Sequence, residues 1–172
     1  MLCYCKNQDS LSEMVGEWRT RKEGLDEIYA EYKRIKKKYG DDYEKLTESL
    51  KSWFRALPQG DPSKRHAHYS VIDARGIYFP DNISAPGGGG PKYEVLHPKT
   101  KKPVAVPSRG WVISSPEKMR ALIADDRVHF GPDETFVPCS KAYLVDREFE
   151  VPYSVFYLDG RAATKKIGRA HV

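Results

Sequence analysis

Residues 69–111 constrain the fold of this chain more than any other stretch. Between Tyr69 and Trp111, short β-prone runs alternate with punctuation: Pro80, Pro86, four glycines at 87–90, then Pro91, Pro98, Pro103 and Pro107. A chain spends that much glycine and proline where backbone shape matters more than core volume. Basic and aromatic side chains are interleaved along the same stretch. Cations beside flat rings suit a nucleic-acid surface and equally suit a plain small β domain.

The chain before this stretch has a different period. Leu2-Cys3-Tyr4-Cys5 is a β-prone run, and Ser10-Leu11-Ser12-Glu13 has capping-box spacing. Leu25, Ile28, Tyr29, Tyr32, Ile35 and Tyr39 then recur at helical spacing until Gly40. Asp41 or Asp42 caps a second helix with Leu46, Leu50, Trp53, Phe54 and Leu57 on its apolar face, and Pro58 ends it. Two amphipathic helices on a short turn predict a helical hairpin whose stripe needs a partner surface. The basic residues Arg19, Arg21 and Lys22, then Lys33, Arg34, Lys36, Lys37 and Lys38, suit either a solvated face paired to Glu27 and Glu31 or contact with a duplex backbone.

A Gly/Asp/Pro/Ser linker at 59–63 precedes the β-rich part. Strands are predicted over 69–72, 76–79, 93–97, 104–106 and 110–114, with further ones at 128–130 and 141–144. Asp73-Ala74-Arg75-Gly76 reads as a turn. One more helix is expected, with Ser115 as its cap, Pro116 at its first position, and Met119, Leu122 and Ile123 facing inward. The fold class is therefore α+β: a helical hairpin followed by a small β-rich region with one short helix.

An apolar fraction of 40% places the chain among globular rather than disordered proteins. Its net charge of +5 favours a polyanionic partner without requiring one. Three cysteines make no disulfide framework and point to a reducing, cytoplasmic setting. Cys3 and Cys5 with His66 and His68 would be an ill-spaced zinc set, so core cysteines are the better reading. No apolar run approaches the roughly 20 residues of a membrane span, and no signal peptide is evident.

The glycine run is not a phosphate loop, because Pro91 follows where Gly-Lys-Ser/Thr would have to open a helix. No Ser/His/Asp order, His-Glu-x-x-His or paired-cysteine motif occurs, so no catalytic, cofactor-binding or metal-binding residue is assigned. Asp73, Asp81 and Glu94 have acid/base chemistry, but nothing in the sequence orients them. His97, before Pro98, reads as structural. The DNA-binding candidates are Arg65, Arg75, Lys92, Lys99, Lys101, Lys102 and Arg109, with Tyr69, Tyr78, Tyr93 and Trp111 nearby. For each lysine the alternative is a solubilising charge, and for each ring a core anchor. Arg109, beside a glycine in a turn, is the strongest single candidate.

These residues carry a resemblance. Asp73-x-Arg75-Gly76-x-Tyr78, the 86–91 glycine loop, Tyr93-Glu94-Val95-x-His97-Pro98-x-Thr100-x-Lys102-Pro103 and Pro107-x-Arg109-Gly110-Trp111 keep order and spacing. So do His129-Phe130-Gly131, Lys141-x-Tyr143-Leu144 and Asp159-Gly160-Arg161-Ala162-Ala163. Together they resemble the target-recognition part of adenine-specific DNA methyltransferases, the modification subunits of type III restriction systems. Leu2-x-Tyr4-x-Lys6-Asn7 is similar to the strand closing the first conserved block of those enzymes.

The resemblance implies site-specific adenine-N6 methylation of duplex DNA by the whole enzyme, with S-adenosylmethionine as methyl donor. It also implies the rest of the methyltransferase chain and a restriction subunit as partners. The family's Asp-Pro-Pro-Tyr-type and Phe-x-Gly-x-Gly-type motifs are absent, and Asp61-Pro62-Ser63-Lys64 lacks the aromatic that would stack a flipped adenine. An interior fragment is therefore expected, inactive alone and binding no methyl donor. Its segments would be 1–7, the end of a catalytic-domain strand; 8–60, the hairpin; 61–160, the recognition region; and 161–172, a tail. Residues 167–172 (Ile-Gly-Arg-Ala-His-Val) match one frame of a sequencing adapter, so read-through is expected there. The alternatives are a stand-alone nucleic-acid-binding module and a purely structural scaffold.

Overall fold

In a computed structural model of the chain, residues 19–150 are described. The expected strand at Leu2–Cys5, the Ser10 cap, the Cys3/Cys5 pair and the 161–172 tail lie outside them. The described residues fall into two units. One contributes a two-strand antiparallel ribbon, β1 (Thr20–Arg21) with β6 (Phe149–Glu150). The other is Glu23–Glu148 and holds everything discussed below.

The helical hairpin forms as its period predicts. Helix α1 (Leu25–Tyr39) buries Leu25, Ile28 and Ile35, and helix α2 (Tyr43–Ala56) buries Leu46, Leu50 and Phe54. Gly40, at φ 60°, ends α1 and donates to the Lys36 carbonyl at 2.9 Å. Of the two candidate caps, Asp42 is the one used: its side chain accepts from the Lys45 amide at 3.1 Å. Lys36 bridges instead to Asp41 across the turn. Gly24 precedes α1 at φ 81°, where a Cβ would lie 2.4 Å from the Ser63 amide nitrogen. That approach seats α1 against a short 3₁₀ turn, Pro62–His66.

The partner surface that the helices need is a sheet. Strands β2 (Val71–Asp73), β3 (Gly76–Asn82), β4 (Val128–His129) and β5 (Cys139–Tyr143) are antiparallel in the order β2-β3-β5-β4. Ile72, Ile77 and Leu144 join the helix residues in one core, with Phe79 packed beside them. The hairpin and the sheet thus share a single apolar layer. The Asp73–Gly76 turn forms as read: Asp73 Oδ1 accepts from the Arg75 and Gly76 amides at 3.0 and 3.3 Å. Architecture and sequence agree on an α+β molecule.

Residues 83–112 are less regular than predicted. The strands expected at 93–97, 104–106 and 110–114 reduce to two isolated bridges, Ser84 with Trp111 and Leu96 with Pro103. Pro91, Pro98, Pro103 and Pro107 each lack an N–H, so no continuous ladder can propagate through them. Single backbone bonds tie the arms together instead, among them Val104 N to Val95 O at 2.8 Å and Val112 N to Ile83 O at 2.8 Å. Beneath them lies a second core of Ile83, Val95, Val104, Trp111, Met119 and Val128. Helix α3 (Pro116–Ala124) supplies Met119, and Leu122 and Ile123 pack against the same core. The Ser115 hydroxyl caps α3 through the Lys118 amide at 3.4 Å, as expected.

Candidate nucleic-acid interface

The glycine run is a closely approached loop rather than a ligand cradle. Gly88 and Gly89 turn through the left-handed region at φ 79° and 71°. Gly90 then passes so near Gly110 (φ 77°) that a Cβ on Gly110 would sit 2.1 Å from the Gly90 carbonyl oxygen. Gly90 N donates to Arg109 O at 3.0 Å, and Trp111 N donates to Pro91 O at 2.9 Å. The Lys92 and Arg109 backbones are thereby held on adjoining segments of one glycine-and-proline frame.

A second loop forms the tip of the 95–104 hairpin. His97 N donates to Lys102 O at 2.8 Å, and Lys101 N donates to His97 O at 2.9 Å, with Lys101 itself at φ 59°. The His97 ring is buried and lies edge-on to Phe130. Its Nδ1 accepts from the Lys99 and Thr100 amides, both at 3.2 Å. Its Nε2, 3.1 Å from the Gly131 carbonyl, is then the nitrogen that carries the proton. The structural reading of His97 holds: the imidazole shapes the tip from inside.

The seven candidate cations divide by their surroundings. Arg75 forms a two-point pair with Asp125, at 2.7 and 3.3 Å. Lys102 reaches Glu134 at 3.0 Å, and Arg65 sits more loosely, 3.8 Å from Glu23. Lys92, Lys99, Lys101 and Arg109 are exposed, and among the described residues their side chains have no ion-pair or hydrogen-bond partner. The aromatics thought to accompany them are anchors. Tyr69, Tyr78 and Trp111 are buried, and Tyr93 is half-buried with its hydroxyl donating to Ile113 O at 2.9 Å.

Asp73 is oriented after all, by residues distant in sequence. Its Oδ2 accepts from Lys141 Nζ at 2.9 Å and from the Tyr143 hydroxyl at 2.8 Å. Burial opposes the charge, but these donors outweigh it and hold the carboxyl below its ordinary range. Lys141 is itself only 9% exposed and reaches Asp126 at 2.9 Å as well. Beside it the Tyr78 hydroxyl lies 2.9 Å from His129 Nδ1. Burial pushes the Tyr78 and Tyr143 hydroxyls up and the His129 ring down, so this set is neutral where it is not paired. It is a satisfied network on the sheet. Asp81 pairs with Arg147 at 3.2 Å, and Glu94 is simply exposed.

Glu134 is the residue that sequence reading missed. Its own backbone amide, the Lys102 ammonium and the Thr100 hydroxyl hold its carboxyl at about 2. No periodicity marks it; only the Gly131-Pro132-Asp133 turn before it signals a loop.

Among the described residues a hollow of about 550 Å³ is lined by Lys51, Arg55 and Lys64 with Glu48, a cationic surface that disfavours the sulfonium of the methyl donor implied by the resemblance. Asp61 does not stand in for a catalytic carboxylate, since its Oδ1 accepts from the Ser63 amide at 2.8 Å as a turn cap. Among the described residues no group of three or more His, Cys, Asp or Glu could hold a metal, and no helix is long and apolar enough to cross a membrane.

No protein-family model matches the chain. It is 30% identical over 171 residues to the type III restriction-modification enzyme EcoP15I Mod subunit of Escherichia coli, an alignment covering 97% of this chain. The chain spans 25% of the length of that curated relative. Over nearly all of its own length, therefore, this chain is homologous to part of a type III restriction-modification Mod subunit.

Proposed function

We propose that this chain is a target-recognition portion of a site-specific DNA adenine-N6 methyltransferase, binding duplex DNA and positioning an adenine for methyl transfer. The observation that carries the reading is the presence of four exposed cations, unpartnered among the described residues, on two backbone-defined loops: Lys92 and Arg109 on one, Lys99 and Lys101 on the other. Unpaired Lys and Arg meet phosphates without first breaking an ion pair, and Arg can also grip a guanine edge through two donors. Homology to a Mod subunit supports the methyltransferase setting, with S-adenosylmethionine, the remaining methyltransferase chain and a restriction subunit supplied elsewhere. A cytoplasmic location goes with that role. The absence of the Asp-Pro-Pro-Tyr-type and Phe-x-Gly-x-Gly-type motifs favours a second reading, a stand-alone nucleic-acid-binding module.

The test is titration of a labelled duplex with the chain at several salt concentrations, with labelled methyl donor added in parallel. Weak binding whose affinity falls steeply with salt, without methyl transfer, is the expected result. Binding indifferent to salt would contradict the interface. Methyl transfer by the chain alone would contradict the assignment of catalysis to other residues.

A further inference from the structure

The tip of the 95–104 hairpin is built in a way that separates its three lysines by role. Lys102 reaches Glu134 at 3.0 Å, and Ala105 N donates to Glu134 O at 2.9 Å, so the 131–138 loop braces this side of the hairpin. His97 braces the turn from within through the Lys99 and Thr100 amides and the Gly131 carbonyl. Lys99 and Lys101, the alternate residues, are exposed and have no partner among the described residues. Lys101 also sits in the left-handed region at φ 59°, a conformation a non-glycine residue keeps only where its surroundings fix it.

Resting on the DNA-binding reading above, we propose that the 98–101 tip is a pre-shaped phosphate clamp. Lys99 and Lys101 contact backbone phosphates of the duplex, while Lys102 is a strut to Glu134 and contacts no nucleic acid. An ammonium group is a compact point charge without the planar fork of a guanidinium, and it suits a phosphate oxygen from many directions. A tip already ordered by His97 and Glu134 loses little conformational freedom on binding, which is what makes two exposed lysines worth more than the same pair on a loose loop. Both lysines sit within one turn, so they act on neighbouring phosphates and set the depth at which the hairpin meets the duplex.

The experiment compares the chain with K99Q/K101Q and with K102Q, in duplex binding at low and raised salt. The double variant is expected to bind roughly tenfold more weakly, with the log–log salt slope reduced by about 2 and the loss uniform across duplex sequences. K102Q is expected to bind within about twofold of the parent, its slope unchanged, since removing a strut removes no phosphate contact. If the parent binds with a steep salt slope and K99Q/K101Q matches it, the clamp is wrong while DNA binding stands. A slope loss in K102Q equal to one lysine of the pair would also overturn the division of roles. If the parent shows no salt-dependent binding, the functional reading fails and the clamp fails with it.

Discussion

The helix-and-sheet half of Glu23–Glu148 and the arm at 83–112 solve the same problem by different means. In the first, continuous ladders and helical turns satisfy the backbone, and side chains are left to pack one core. In the second, prolines forbid ladders, so single hydrogen bonds and the Gly90–Gly110 approach fix the chain path over a smaller core. The charges follow the same division. Among the cations considered, those beside the regular elements end in pairs: Arg75 with Asp125, and Arg65 with Glu23. The arm leaves Lys92, Lys99, Lys101 and Arg109 open, with only Lys102 tied back. For the seven candidate cations, the unpaired charge lies on irregular backbone fixed by single hydrogen bonds and close glycine contacts, while Lys33 and Lys37 are exposed on helix α1 as well.

Leu50 is fully buried between the helices and the sheet, so Leu50→Ala should cost about 2–5 kcal/mol, seen as a lower denaturant midpoint. A much smaller loss would mean that the helical core is looser than described. In the arm, the equivalent change is Gly110→Ala. The positive φ alone costs roughly 1–3 kcal/mol, and the clash with the Gly90 carbonyl adds to it. Unaltered stability in that variant would deny that glycine packing defines the arm.

The smallest expected effect concerns acid. The folded-state carboxyl of Glu134 lies at about 2 against an ordinary 4.5, so the brace contributes fully above pH 4.5. Its contribution is lost as pH falls from there toward 2, because the unfolded chain takes up the proton first. Glu134→Gln should flatten that part of the stability–pH curve, whereas an unchanged curve would remove Glu134 from the brace.

Much of the regular half was legible in the sequence. Helical spacing places the apolar faces of α1 and α2, and Ser115-Pro116 and Asp73–Gly76 carry capping and turn chemistry that acts within a few residues. Between Asp41 and Asp42, sequence alone could not choose, since both have the right side chain and only the chain path selects Asp42. The arm misled for a physical reason: alternating apolar residues at 93–97 satisfy the strand pattern, while Pro98 and Pro103 deny the ladder its donors. The division of the candidate cations was not legible at all. Arg75 and Asp125 are 50 positions apart, and Lys102 and Glu134 are likewise joined only by the fold, so no local pattern announces either pair.

We propose that the open cations of the arm, not the paired ones, form the DNA-facing surface. It is tested most directly by measuring duplex affinity against salt for two charge-neutralised chains, K92Q/K99Q/K101Q/R109Q and R65Q/R75Q/K102Q. The first set is expected to lower the salt slope by about 3–4 and remove most of the binding, while the second is expected to stay within about twofold of the parent. Equal losses in the two chains, or the larger loss in the paired set, would contradict it.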